Sequence, residues 1–370
     1  MIFSIPALQD ATIYEKDPYR NTGLDSILEL KKQGDISTGN FTESRILIKF
    51  DLTNLSASLS ENGVSINDVN ANLRLYTVQY SDLPKTYTIE AKMLSENWVN
   101  GSGYHDLPDT KINATTITDG ATWKTVAGTG SLQWINGSSA GSTASFVSES
   151  GGGRYITSSI ASQSFSFKSD DLININVTEA VKYWYNGTYT NNGFLISYKA
   201  SEITASNYPE SNIQFYSSDT ATVFEPQLYI QWTGSQTYQT GSLSTITYED
   251  NPIVYTRTFK REYLKDKKIR ILLGSRPKYP RPVFTQNNFF STIKALPINS
   301  YYQIKDAHNE QIIIPYNDYT KINTDSSGSY FDFYTTMMYP ERYYKFEIKS
   351  EFSGVTEYFT SSDFTFKIIK

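Results

Sequence analysis

Apolar and polar positions alternate with a period of two along most of this chain. In the stretch 45–52, Arg-Ile-Leu-Ile-Lys-Phe-Asp-Leu, an extended backbone places Ile46, Ile48 and Phe50 on one side and Leu47, Lys49 and Asp51 on the other. This predicts a core strand of a sheet covered on one face by a second sheet. Similar alternation predicts strands at 10–15, 27–31, 71–77, 87–93, 172–177, 193–198, 213–216 and 226–232. The apolar spacing changes at Val177, Val181 and Trp184, which predicts a short helix with Thr178 as its cap and Asn186-Gly187 as its stop.

Beyond residue 233 the stretch 234–245 reads as a polar linker. After it, strand-like segments recur at 253–259, 268–273, 289–293, 301–304, 311–314, 331–334, 343–349, 356–359 and 364–368. A chain of 370 residues exceeds what one core usually supports. The expected organisation is all-β: an N-terminal jelly-roll β-sandwich at 1–233, then a smaller immunoglobulin-like β-sandwich or small β-barrel docking domain at 246–370.

Composition sharpens this reading. Aromatic residues make up 15% of the chain, with 29 Tyr, a bias toward pleated surfaces and interfaces. Cysteine is absent, which removes disulfides, thiolate catalysis and Cys-based zinc sites together. No apolar run approaches the roughly 18 residues of a membrane helix, and Met1 to Pro6 lacks a basic leader, so membrane insertion and an export signal are not expected. Charge is uneven: 18 basic against 14 acidic residues from Gln236 onward leaves 15 against 24 in the first 235, balances of +4 and −9. The two parts are expected to meet different partners.

Candidate chemistry is sparse. The two histidines, His105 and His308, sit in turn-like contexts with neither a serine triad nor a zinc ligand set around them. No acid marks itself as half of a glycosidase pair. Ten Lys/Arg against two acids fall between Arg257 and Arg281. Lys260, Arg261, Lys265, Lys267, Lys268, Arg276, Lys278 and Arg281 are therefore candidates for docking an acidic partner, a neighbouring subunit before a nucleic acid. The plain alternative is a solvated edge whose lysines discourage strand pairing. Asp10, Asp17 and Asp25 are candidates to join carbonyls around a calcium ion, with turn capping as the alternative. Trp98, Trp123 and Trp134 lie in a loop-rich third, where an indole can either stack on a sugar face or plug the end of a sandwich. Trp134, between Gln133 and Ile135-Asn-Gly, is the first choice for glycan contact.

One resemblance rests on an ordered series of short motifs: Asp10-Ala-Thr-Ile, the stretches 45–52 and 71–76, Trp98, Gly120-Ala-Thr-Trp123, Val177 to Trp184 with Asn186-Gly187, 193–196 and 226–230. This succession over residues 1–233 resembles the DNRLRE, or disaggregatase-related, domain family. The resemblance implies a carbohydrate-binding-module-like jelly roll of the kind found in surface proteins and in phage structural proteins. It implies fold more than ligand. Without an export signal, the expectation is a non-enzymatic structural protein of a tailed phage virion, in the neck, tail or fibre, assembled in the host cytoplasm. Its expected partners are other virion proteins and copies of itself in a symmetric assembly, with cell-surface glycan as an additional ligand. The alternative is a glycan-binding module of a bacterial surface protein.

Overall fold

The computed structural model of the chain describes residues 1–34, 40–81, 85–104, 119–128, 133–134, 146–147, 151–166, 172–205, 207–233, 243–279 and 293–370. Strands take up 49% and helices 11%, an all-β sandwich fold. The chain divides into two compact units. The larger comprises Ile5–Ser58 and Val69–Ile230, the smaller Met1–Ser4, Leu59–Asp68 and Gln231–Lys370. The backbone thus passes between units at four places rather than through a single linker, and residues 234–242 of the expected linker lie outside the described residues.

The strands that build the larger unit are β1 (Ile2–Tyr14), β2 (Ile27–Gly34), β3 (Phe41–Phe50), β4 (Val69–Ser81), β5 (Tyr87–Leu94), β6 (Phe146–Val147), β7 (Tyr155–Phe165), β8 (Leu172–Asn176), β9 (Phe194–Tyr198), β10 (Ser211–Tyr216) and β11 (Gln227–Trp232). They hydrogen-bond in the order β1-β11-β4-β10-β2-β3-β9-β5-β7-β6, with β8 added on β4, and a further β1–β3 pairing closes the first six into a ring. Closure of this kind leaves those strands without open edges.

Register explains the core. Opposite Ile46 and Ile48 of β3 stand Thr12 and Asp10 of β1 on one side and Ile196 and Phe194 of β9 on the other. Ile46, Ile48 and Phe50 therefore share the inner face with Phe194 and Ile196. Leu47, opposite Ala11 and Leu195, faces the other way. That outer face is not solvent, as the period-two reading expects. Ala11, Ile13, Leu47, Leu94, Tyr155 and Leu195 form one buried cluster with Trp98, Ala121, Trp123, Val126 and Trp134 from the connecting segments. β3 is covered on both faces because these described residues of the connection between β5 and β7 pack over its sheet.

Three helices accompany these strands: α1 (Leu55–Glu61), α2 (Thr178–Tyr185) and α3 (Ala200–Thr204). α2 buries Ala180, Val181 and Trp184, as the changed spacing predicts. Its N-cap is Val177 and carries no side-chain cap bond. Thr178 instead lies inside the helix and its hydroxyl donates to Asn176 Oδ1 at 2.7 Å, which corrects the expected capping role. At the other end Gly187 (φ +70°) and Thr188 donate backbone N–H groups to Trp184 and Tyr183, the paired closing bonds that a left-handed glycine permits.

The smaller unit contains β12 (Pro252–Thr256), β13 (Glu262–Leu264), β14 (Lys268–Pro277), β15 (Ser300–Asp306), β16 (Ile312–Ile314), β17 (Asn323–Asp325), β18 (Gly328–Tyr334), β19 (Tyr343–Phe352), β20 (Val355–Phe359) and β21 (Thr365–Ile369). One sheet runs β12-β14-β18-β17 and the other β13-β21-β19-β15-β16, with β20 paired to β19. Aromatic rings join the two sheets: Tyr302 stacks on Phe331 at 4.3 Å, Phe331 meets Phe346 at 5.4 Å and Phe333 meets Phe366 at 5.7 Å. Such pairs add about 0.5–1.5 kcal/mol each beyond their area burial. Tyr334 explains why this unit takes up distant segments. Its ring lies 5.2 Å from Phe3 and 6.3 Å from Trp232, and its hydroxyl accepts from Asn62 Nδ2 at 2.8 Å.

Candidate functional site

Sequence places three tryptophans in loops, and the structure turns all of them inward. Trp98, Trp123 and Trp134 are only 2%, 6% and 3% exposed. The Trp98 indole N–H donates to Asn192 O at 3.0 Å and that of Trp134 to Thr122 O at 3.0 Å. Trp123 lies beneath the buried Arg45 guanidinium, 4.9 Å from its ring, and Arg45 itself donates to Gly152 O. Sugar stacking needs an open ring face, and none of the three offers one. Their selection as a glycan platform is therefore corrected: they are the core of the insertion. At Trp134 the polar neighbourhood misleads because Gln133 takes the exposed position and its neighbour the buried one.

Asn21 anchors the same region. Its amide donates to Asn100 O and Ala121 O at 2.8 and 2.9 Å, and its Oδ1 accepts from the backbone N–H groups of Gly23 and Gly103 at 3.2 and 2.8 Å. Gly101 (φ +81°) crosses this side chain so closely that a Cβ there would sit 2.3 Å from Oδ1, so only glycine fits.

The three aspartates considered for calcium do not converge their carboxylates: Asp10 and Asp25 meet the 217–219 turn, one by side chain and one by backbone, and Asp17 pairs with Arg20. Asp10 is 1% exposed, on the inner face of β1 opposite Ile48, with Oδ2 accepting from Ser218 N at 2.7 Å. Asp17 lies in the turn after β1, half-exposed, 3.7 Å from Arg20. Asp25 meets the 217–219 turn through its backbone carbonyl, which accepts from Ser217 Oγ at 2.5 Å. Among the described residues no three acids or histidines gather as a metal site, so the trio is withdrawn as a calcium set. Burial pushes the Asp10 carboxyl up to about 7, with Asp219 and Glu225 adding like charge against the Ser218 hydrogen bonds.

The basic run does not fold into one patch. Lys260 and Arg261 precede β13, and Lys265 and Lys267 follow it in the turn into β14. Lys268 opens β14 and donates to Asn62 Oδ1 at 2.7 Å. Arg276 and Lys278 lie at or beyond the opposite end of this strand, whose ten residues span about 30 Å. Arg281 lies outside the described residues, as does His105. The seven described cations of this sequence cluster fall into two groups because an extended strand runs between them.

What the smaller unit does present is the solvent face of its six-stranded sheet. Along β19 the buried Tyr344, Phe346, Ile348, Ser350 and Phe352 alternate with outward Tyr343, Lys345, Glu347, Lys349 and Glu351. Glu347 accepts from Lys305 Nζ at 2.9 Å and from the Tyr316 hydroxyl at 3.0 Å. Burial, together with that carboxylate, holds the Tyr316 hydroxyl well above the usual phenol range. The Tyr316 ring is 6.2 Å from Tyr358 and has Lys349 Nζ at 6.0 Å from its centre. Farther along, Lys367 lies over Tyr343 and also pairs with Glu341. Tyr343 and Tyr358 remain 57% and 55% exposed. Aromatic rings held among paired charges on an exposed sheet face form the anchors that protein interfaces favour.

No protein-family model matches this chain, and no curated protein matches it. Among solved structures, a chain described as a DUF4785 family protein from Legionella pneumophila aligns over 100% of this chain and 62% of its own length. Identity is 8% and the TM-score 0.17. A likeness at that level carries no argument about fold or function.

Two features escape sequence reasoning. Lys32 is 1% exposed and donates to three carbonyls, Glu202 O at 2.7 Å, Ala205 O at 2.9 Å and Tyr208 O at 2.8 Å. Nothing in its neighbours distinguishes it from an exposed lysine. The other is Glu357, which pairs with the fully buried Ser350 and so occupies an inward position between Val355 and Phe359. That signal is legible: Val-x-Glu-x-Phe breaks the apolar side of an alternating strand.

Proposed function

We propose that this chain is a non-enzymatic structural component of a tailed phage virion, in the neck, tail or fibre, that braces or attaches neighbouring subunits. The observation that carries the holding role is the outer face of β19, β15 and β20, where Tyr343 and Tyr358 stand half-exposed in poses fixed by Lys367, Tyr316 and Lys349. Preorganised aromatics of this kind bind at a low cost in side-chain ordering. The virion setting is carried by the sequence resemblance, whose family includes phage structural proteins. Other virion proteins, and further copies of the chain, are the partners this role needs.

Co-sedimentation tests the proposal. The full chain, added to particles assembled without it, is expected to pellet with them at a fixed copy number, and Tyr343→Ser with Tyr358→Ser to reduce that number. A chain that stays in the supernatant at every concentration, or binds without saturation, overturns the proposal.

A further inference from the structure

The smaller unit contains a cleft of about 410 Å³ lined by Tyr248, Glu249, Asn251, Pro252, Glu357 and Phe359. This is within the roughly 300–1,000 Å³ of ordinary ligand pockets. It lies where β12 and β20 approach, and among the described residues each of these strands pairs with one neighbour only, β14 and β19 respectively. The cleft is thus the open side of the sandwich. One wall is a stiff turn. Thr247 donates from both its backbone N–H and its hydroxyl to Asp250 Oδ2, at 3.0 and 3.1 Å, and Asn251 follows in the left-handed region at φ +49°. This turn carries Glu249 and holds Tyr248 6.5 Å from Phe352, with 49% of the tyrosine exposed. The other wall is the inward side of β20, which carries Glu357 and Phe359.

The chemistry of this lining is one-sided. Two carboxylates face the cleft and no lysine or arginine lines it. Neither Glu249 nor Glu357 has an ion-pair partner among the described residues. Two cations adjoining the 247–251 turn are engaged elsewhere: Lys294 Nζ donates to Asp250 at 2.6 Å, and Lys278, whose backbone N–H donates to Asn251 O, has its Nζ over the Tyr279 ring at 5.6 Å. An inward acid on an edge strand is one device against unwanted strand pairing. That explains Glu357 alone. It leaves unexplained Glu249 on the opposite wall and the half-exposed Tyr248 beside it.

We propose that this cleft binds an alkylammonium group, the side chain of a lysine on an exposed segment of a partner protein. The ammonium has three N–H donors and no acceptor, which matches a lining of carboxylate oxygens. Its positive charge and the methylenes beside it suit the faces of Tyr248 and Phe359. A neutral sugar would also find an aromatic wall, but it would leave both carboxylates without compensating charge. The site gives the bracing role one specific contact, and its test requires no particle.

The test uses the full chain and a blocked pentapeptide, Gly-Gly-Lys-Gly-Gly, followed by saturation-transfer NMR titration, with the norleucine peptide and methyl β-glucoside as comparisons. Saturable binding of the lysine peptide is expected, weakened at least about tenfold in the E249Q/E357Q double variant and by 0.5 M salt, the response of an exposed charge contact. Tyr248→Ser provides a second, independent loss. Both variants are expected to keep the wild-type circular dichroism and melting temperature, since these side chains are exposed or half-exposed. Equal binding of the norleucine peptide, unchanged binding by a folded double variant, preference for the glucoside, or no saturable binding each overturns the inference. Particle co-sedimentation is unaffected by any of these results, so the two readings fail separately.

Discussion

Asp10→Asn isolates the cost of one sealed carboxylate. Asp10 is 1% exposed, accepts hydrogen bonds from Ser218, and leaves Oδ1 without a partner among the described residues. Burial raises its pKa from 3.8 to about 7. A carboxyl raised in this way binds its proton more tightly in the folded state than in the unfolded chain. Stability is therefore full below about pH 4 and falls as pH climbs toward 7. At about 1.4 kcal/mol per unit, a rise of roughly three units costs about 4 kcal/mol by pH 8. Asparagine keeps an oxygen for Ser218 N–H and never ionises. The variant is expected to exceed the wild type by about 2–4 kcal/mol at pH 8 and to match it within about 1 kcal/mol at pH 4. Urea unfolding followed by tryptophan fluorescence, at a series of pH values and fixed salt, reads this difference. A gap between the two proteins that does not change with pH refutes the reasoning, because a purely steric effect has no proton linkage.

Two further substitutions test the reading of the larger unit. Lys32→Met removes the ammonium that donates to Glu202 O, Ala205 O and Tyr208 O, of which Ala205 O keeps the Tyr208 backbone N–H, and is expected to cost about 3 kcal/mol in urea unfolding. Trp134→Ala opens a void beside Trp123 and Val126 and is expected to cost about 3–5 kcal/mol, without changing retention of the folded protein on glycan supports.

Alternation made the strands legible because a sheet buries every second residue. Ile46, Ile48 and Phe50 lie on the inner face as their spacing predicts. It failed at Leu47, whose outer side is covered by an insertion that no local pattern announces. Helix α2 was readable from Val177, Val181 and Trp184, and its end from Asn186-Gly187. The beginning was misread because the Thr178 hydroxyl donates to Asn176 Oδ1 and accepts from the Ala71 N–H, not from an N–H of the helix N-terminus. Site reasoning was weaker for the same reason. Residue type alone does not tell which way a loop side chain turns, so the tryptophans stayed open between sugar contact and plugging the sandwich, and their burial shows the second. Nor does closeness in sequence survive extension: Lys267 and Lys278 are eleven positions apart but flank a ten-residue strand. Glu29 shows how far partners decide the outcome. Burial pushes its carboxyl up, yet hydrogen bonds from Lys31, Tyr14 and Gln214 hold it below the usual range, the opposite of Asp10 on β1.

Asp10 and Glu357 both break the rule that inward strand positions are apolar, and the difference between them separates structural cost from availability. Asp10 is sealed, so its charge has no ligand to meet and affects stability alone. Glu357 sits on an edge strand beside an open cleft, where water reaches it and a cation can. Replacing it with leucine makes the inward side of β20 apolar from Val355 to Phe359, beside the Phe352 ring of β19. Burying part of that side chain against the rings is expected to stabilise the smaller unit by about 1 kcal/mol, while ending lysine-peptide binding. A gain in stability coupled to a loss of binding is the trade-off of a residue retained for its ligand. Thermal unfolding of Glu357→Leu decides the matter: a lower melting temperature would mean that the acid supports the fold, and the case for the cleft would then rest on Glu249 and Tyr248 alone.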